Sequence, residues 1–212
     1  VESETIPKEA EDKKLTERLS QILDKLGYHD NPVIISLPRN LATLRFLKVP
    51  SQIPQEIERI VSLQAATYLP YPAGELIIGY QTILIDKEGY SHLNLIIVHQ
   101  DTVKRQLNFF AGVNIKNITL TLSSYGILNL YNYLKPEDRG PVMLVDIDLN
   151  QAELAIVSGQ RLLFSRYFKL NLSKNGREDL LIEEIKKTWD VYLKDVSKEN
   201  LVKIIVMDTE KN

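Results

Sequence analysis

Apolar residues at Leu15, Leu19, Ile22, Leu23 and Leu26 recur at helical spacing, and the run predicts a helix that Gly27 stops. The period then shortens. "PVIISLP" (32–38) and "LATLRFLKVP" (41–50) are rich in β-branched and apolar residues, and Arg39-Asn40 between them predicts a tight hairpin. After Pro50 and Pro54, the stripe Ile57, Ile60, Val61, Ala65 and Tyr68 predicts a second helix, ended by Pro70 and Pro72 in "YLPYPAGE". "LIIGYQTILID" (76–86) and "HLNLIIVH" (92–99) flank the turn signal "KEGYS", which predicts a second hairpin. Asp101 is placed to cap a third helix with Val103, Leu107, Phe110 and Ala111 on one face and Gly112 at its end.

"IKNITLTLSSYGILNLYNYL" (115–134) predicts a strand entering a helix, and the charged "KPEDRG" (135–140) is the best candidate boundary. Beyond it, "PVMLVDI", "AELAIVSGQ" and "RLLFSRYFKL" predict three strands at meander spacing. A helix carrying Leu181, Ile185, Trp189 and Tyr192 on one side follows, and "LVKIIVMD" (201–208) predicts a last buried strand. Hairpins dominate over strict strand–helix alternation, so the expected class is α+β rather than a doubly wound parallel sheet.

Composition narrows the function without naming it. The 212 residues carry 26 basic and 28 acidic side chains, a net charge of -2, which gives no overall nucleic-acid footprint. A chain of this length buries roughly 70% of its unfolded surface without a metal or disulfide. With no cysteine, disulfides, thiol catalysis and thiolate metal sites are excluded. The first fourteen residues are mostly polar and do not read as a signal peptide, and a start at Val1 rather than Met is what a fragment shows.

Local catalytic motifs are missing. His29, His92 and His99 lack metal-helix spacing, and His92 and His99 flank one strand in structural positions. Ser123, Ser124 and Ser158 have no nucleophile-elbow context, and the nine glycines form no phosphate loop of the P-loop or dinucleotide-binding type. Asp146 and Asp148, two apart at a strand end, point the same way and can face one cation, as the acids of some glycosyltransferases do. The simpler reading is that Asp148 begins a turn and bonds nearby backbone. Tyr68, Tyr71 and Tyr80 near the prolines, and Tyr125, Tyr131 and Tyr133 on one helix, are either interface aromatics or core residues with wet hydroxyls. Trp189 belongs to an apolar stripe and reads as core.

Ser36-Leu37-Pro38 with Arg45 in the following strand, then Tyr68-Leu69-Pro70-Tyr71-Pro72 at a helix end, then the "VMLVDIDLNQAELAIVSGQRLLFSRYF" meander, follow one another in an order that resembles the PilM family of type IV pilus assembly. GspL of type II secretion is a close relative. The likeness spans roughly residues 30 to 170. It implies an actin-like fold, with a ribonuclease H-like core, in incomplete or degenerate form. Residues 1–50 and 135–212 would be partial actin-like subdomains, and 51–134 an inserted α+β subdomain. It further implies a non-catalytic scaffold, cytoplasmic and peripheral to the inner membrane. Such a scaffold binds the tail of a PilN-type membrane protein and engages the assembly ATPase, and self-association is compatible with it. Arg45, Tyr68, Leu69 and Tyr71 are the residues this resemblance points to for the tail.

Many members bind ATP, and here the pattern departs from that use in three places. A first phosphate loop would precede Val1, Asp148 stands where the glycine of Asp146-Ile147-Gly is expected, and "IIVMDTEKN" carries Asp208-Thr209 where a Gly-Gly turn is expected. Asp146, Asp148 and Asn150 therefore form at most a degenerate phosphate turn. A unit charge about 4 Å from a phosphate charge repels by roughly 4 kcal/mol at an effective dielectric near 20. The expectation is no cofactor, with ATP and Mg²⁺ as the alternative if nucleotide motifs lie partly outside the chain.

Overall fold

The computed structural model describes residues 12–208 apart from 109, 111, 114, 116, 135–136, 149 and 171–173. Helix α1 (Asp12–Lys25) ends as its sequence predicts: Gly27 has φ +61°, and Gly27 and Tyr28 return their amides to Asp24 and Leu23. Among the described residues three sheets follow. Strand β1 (Val33–Leu37) pairs in parallel with β5 (Ile118–Leu122). Strands β2 (Thr43–Val49), β3 (Leu76–Ile85) and β4 (Ser91–His99) form an antiparallel sheet in the order β2-β4-β3. Strands β6 (Val142–Asp148), β7 (Gln151–Ser158), β8 (Arg161–Lys169) and β9 (Lys203–Asp208) form the third, in the order β8-β7-β6-β9, with β9 parallel to β6.

The predicted hairpin between 32–38 and 41–50 does not form. A short 3₁₀ turn at Arg39–Leu41 carries the chain from one sheet to another, and both partners of these strands, β5 and β4, are distant in sequence. Local β propensity marked the strands but holds no information about a partner more than forty residues away. The hairpin β3–β4 and the meander β6–β7–β8 form as predicted.

Helix α2 (Pro54–Tyr68) starts with proline at a position whose amide needs no partner, and it buries Ile57, Val61 and Ala65 on Leu93, Leu95 and Ile97 of β4. Helix α3 (Gln100–Asn108) stops four residues before the predicted Gly112. Its first-turn amide at Asp101 is taken by His99 Nδ1 at 3.2 Å, so the N-terminal acceptor is His99 rather than the Asp101 side chain. Ala111 lies outside the described residues.

Helices α4 (Ser123–Tyr133) and α5 (Lys174–Asp195) cover opposite faces of the third sheet. Ile127, Leu128 and Tyr131 of α4 meet Leu144, Ala155 and Leu162, while Tyr192 and Trp189 of α5 meet Met143, Leu154 and Ile156. Trp189 is thus core, as its stripe predicts. Tyr131 is buried and donates to Asp138 Oδ2 at 2.8 Å, whereas Tyr133 is exposed. Asp86 ties the β3–β4 turn: its carboxylate accepts the amides of Glu88 and Tyr90 and lies 2.8 Å from Lys48 Nζ and 2.9 Å from His92 Nε2. His92 therefore braces a turn. Among the described residues no helix is long and apolar enough to cross a membrane.

Candidate functional site

The candidate phosphate turn is held by the protein's own atoms. Asp148 and Gln151 close the β6–β7 hairpin, and Asp148 Oδ2 accepts Gln151 Nε2 at 3.2 Å. Arg177 donates to the Asp148 carbonyl at 3.0 Å, and the Leu170 amide donates to the Asn150 carbonyl at 2.8 Å. Asp148 and Asn150 are exposed, and Asp146, one step in, is half-buried. Asp148 thus begins a turn, as the simpler sequence reading has it. Among the described residues no group of three or more His, Asp or Glu is arranged to hold a metal.

Asp146 faces Glu153 directly across the β6–β7 ladder, on the side covered by α4. Glu153 is buried, and the hydroxyls of Ser123 and Ser124, the first two residues of α4, both donate to it. The positive end of the α4 macrodipole adds to this pull on the carboxylate. With its one proton on Glu153, Ser124 Oγ accepts the hydroxyl of Ser165 at 2.9 Å. Arg39 closes the network, donating to Ser165 Oγ at 2.7 Å, the Ser165 carbonyl at 3.1 Å and the Ala42 carbonyl at 2.6 Å. One polar cluster therefore joins the 3₁₀ turn, α4, β7 and β8. Sequence reading missed it, although Glu153 was visible as the lone ionisable residue in the apolar strand "AELAIV".

Burial raises the Glu153 carboxyl above its ordinary value, against the two serines and Arg39, and Asp146 raises it further. Asp146 is raised by burial and then by Asp148. An acid with a raised folded pKa binds more protons folded than unfolded, so its contribution to stability is complete below about pH 4 and falls as pH rises through the folded value. Asp86 and Asp138 act the other way. Lys48 and His92 hold the first, and Lys203 and Tyr131 the second, below the usual carboxylate range, so their contribution is lost as pH falls below about 4. Stability is therefore expected to decline from about pH 4 upward. Glu153→Gln should flatten that decline while leaving the acid limb in place, as measured by urea unfolding at stepped pH.

A second feature lies between the first two sheets. Alternate residues of β3 divide between its faces: Leu76, Ile78 and Tyr80 pack toward α2, while Ile77, Gly79 and Gln81 face away from it. On that far side runs an apolar groove of about 220 Å³, walled by Ile77, Gly79, Ile96 and Val98 on one side and Leu37, Leu120 and Leu122 on the other. It continues past Ile96, Thr121 and Tyr125 into a more polar space of about 400 Å³ bordered by Gln81, Asn129 and Gln160. Both β3 and β5 are edge strands of their sheets among the described residues. A Cβ built on Gly79 meets no atom within 4 Å, so the missing side chain leaves the groove open at its centre.

The residues singled out by the Tyr68–Pro72 motif lie elsewhere. Arg45 stacks over the Tyr68 ring at 5.6 Å, and Tyr68 and Leu69 pack on the α2 side of the sheet. Tyr71 meets His99 edge-on, with ring centroids 4.7 Å apart, beside α3. The structure brings Arg45 and Tyr68 together and sets Tyr71 apart; none of the four lines the apolar groove.

The chain matches the family model described as type IV pilus assembly protein PilM over residues 2–203. Among solved structures, the PilM–PilN type IV pilus biogenesis complex aligns with a TM-score of 0.76 at 17% identity, covering 97% of this chain and 73% of that one. The cytoplasmic domain of EpsL, an inner-membrane component of the type II secretion system of Vibrio cholerae, aligns at 0.56 and 7% identity, over 94% of this chain and 72% of that one. A Bacteroides thetaiotaomicron protein with an actin-like ATPase fold and unknown function aligns at 0.46 and 12% identity, over 91% of this chain and 76% of that one. No curated protein matches the chain. The fold is α+β and actin-like.

Proposed function

This chain belongs to the PilM family of type IV pilus assembly proteins, and from that premise we propose that it is a non-catalytic scaffold whose β3–β5 groove takes an extended apolar tail of a PilN-type membrane protein. The observation that carries the proposal is the groove itself. It is apolar, it runs between two edge strands, and Gly79 keeps it open. Extended peptides bind such places by main-chain hydrogen bonds to a free edge and by alternate side chains in pockets. A membrane-anchored partner of this kind places the chain in the cytoplasm against the inner membrane, where an assembly ATPase is a further candidate contact.

Nucleotide is not part of this proposal. Asp148 puts a carboxylate at the turn, the turn's carbonyls are engaged by Arg177 and Leu170, and the α4 serines already hold Glu153. A phosphate arriving there meets three carboxylates and displaces existing hydrogen bonds. The rival reading, an ATP-binding member, needs those groups rearranged.

Calorimetric titration with a synthetic peptide of the cognate PilN-type tail tests both parts. Gly79→Phe fills open space, so the fold is expected to survive while tail affinity drops by about a hundredfold, the scale of a lost anchor pocket. The pair Arg45→Glu and Tyr71→Ala is expected to leave affinity unchanged. The opposite pattern would move the tail onto the Tyr68–Pro72 surface. ATP with Mg²⁺ is expected to give no heat with the wild type or with Asp148→Gly; micromolar binding would restore the nucleotide reading.

A further inference from the structure

Apart from the tail groove, the chain has a cleft of about 690 Å³ between β2, β8 and α5. Its floor is apolar, with Phe46 and Phe164 from the two strands and Val191 from α5. Its walls carry opposite charges. Arg45 stands on the β2 side, while Asp190 and Asp195 stand on α5. None of these three makes an ion pair among the described residues; Arg45 lies over the Tyr68 ring and has the like-charged Arg39 as a neighbour. The other cations of the cleft are engaged: Arg166 with Glu184 at 2.9 Å, Lys187 with Glu183 at 2.7 Å, and Arg39 with Ser165.

The shape of the occupant follows from what is already taken. Strand addition on the β8 wall is blocked, because the Leu162 carbonyl accepts Asn94 Nδ2 at 2.7 Å and the Ser165 carbonyl accepts Arg39. The α5 wall presents positions 187, 190, 191 and 195, a row at helical spacing that a second helix lying alongside can match along its length. An apolar floor between an unpaired cation and two unpaired anions complements a helix with an apolar stripe flanked by acidic residues on one side and basic residues on the other.

We infer that the β2–β8–α5 cleft is a docking site for an amphipathic helix of a protein partner, with acidic side chains meeting Arg45 and basic side chains meeting Asp190 and Asp195. This surface is separate from the tail groove and stands or falls without it.

Three synthetic helical peptides with one shared leucine stripe test it, their flanks carrying only Glu, only Lys, or Glu on one side and Lys on the other. Reversal of the helix direction does not change what is compared, since each variant shifts the preferred composition. Titrated into the full chain, the mixed peptide should bind about tenfold tighter than either single-sign peptide. Arg45→Glu should make the all-Lys peptide the tightest, and Asp190→Lys with Asp195→Lys the all-Glu peptide. All three positions lie on the cleft walls, and circular dichroism checks that each variant is folded. Binding of the mixed peptide should persist in Gly79→Phe. Equal binding of the three peptides, an order unchanged by the variants, no binding of any peptide, or loss in Gly79→Phe would overturn the proposal.

Discussion

Arg39→Ala is expected to lower the melting temperature by roughly 6–12 °C, the response of a domain of this size to about 3 kcal/mol. Three guanidinium hydrogen bonds disappear, leaving the Ser165 hydroxyl with fewer partners and the Ser165 and Ala42 carbonyls without this donor. Bonds to a charged donor are worth about 1.5–3 kcal/mol each when intact, and Arg39 is only partly buried, so water recovers a share of the loss. Glu153 then keeps its burial without the positive charge that opposes it. The cost should therefore grow with pH as Glu153 ionises, and shrink in a Glu153→Gln background. A thermal shift that is the same in both backgrounds would mean that Arg39 acts through Ser165 alone. Burial lowers the Arg39 pKa, yet an arginine remains charged throughout the range in which carboxylates titrate, so the pH dependence belongs to the acid.

The second large effect is Leu154→Ala, expected to cost about 3–4 kcal/mol and roughly 6–16 °C in melting temperature. Leu154 is fully buried on β7, a central strand of the third sheet, among Met143, Val145 and Ile156 and under Tyr192 of α5. Strands on both sides and a helix above leave little freedom to collapse into the space, so both the transfer and cavity contributions apply. Leu154 and Glu153 are neighbours pointing to opposite faces, one into the α5 core and one to the α4 serines. Destabilisation at Leu154 should leave the pH profile unchanged in shape, whereas changes at Glu153 alter the shape itself. Urea unfolding of both variants at stepped pH separates the two.

For the proposed scaffold function, these two sites explain how the tail groove is kept in place. Leu37 and Leu122 on one wall belong to strands that meet the Arg39 turn and the start of α4, while Ile96 and Val98 on the other belong to the sheet that β2 enters from that same turn. Asn94, between Ile96 and the β8 edge, adds a buried link to the third sheet through the Leu162 carbonyl. The groove is thus the space between two sheets pinned by polar contacts to a third. Loss of Arg39 is expected to widen the spread of groove geometries before it unfolds the chain.

What residue order alone determined was local. The helix stop at Gly27, the proline entry at Pro54, the β3–β4 hairpin and the β6–β7–β8 meander are written in spacing and turn residues within a few positions of each element. The succession of the Ser36–Pro38, Tyr68–Pro72 and Asp146 segments also carried the family resemblance that the match over residues 2–203 bears out. Only the tertiary structure decided the pairing of β1 with β5 and β2 with β4, because partners far apart in sequence are chosen by packing and not by local propensity. The same holds for the sites. Gly79 opens a groove only when β5 lies opposite, Ser123 and Ser124 become ligands of a carboxylate only when α4 is set on β7, and Arg45 faces Asp190 and Asp195 only once α5 folds back across the sheet. Burial, charge proximity and free edges are properties of positions in space, and one-dimensional order does not contain them.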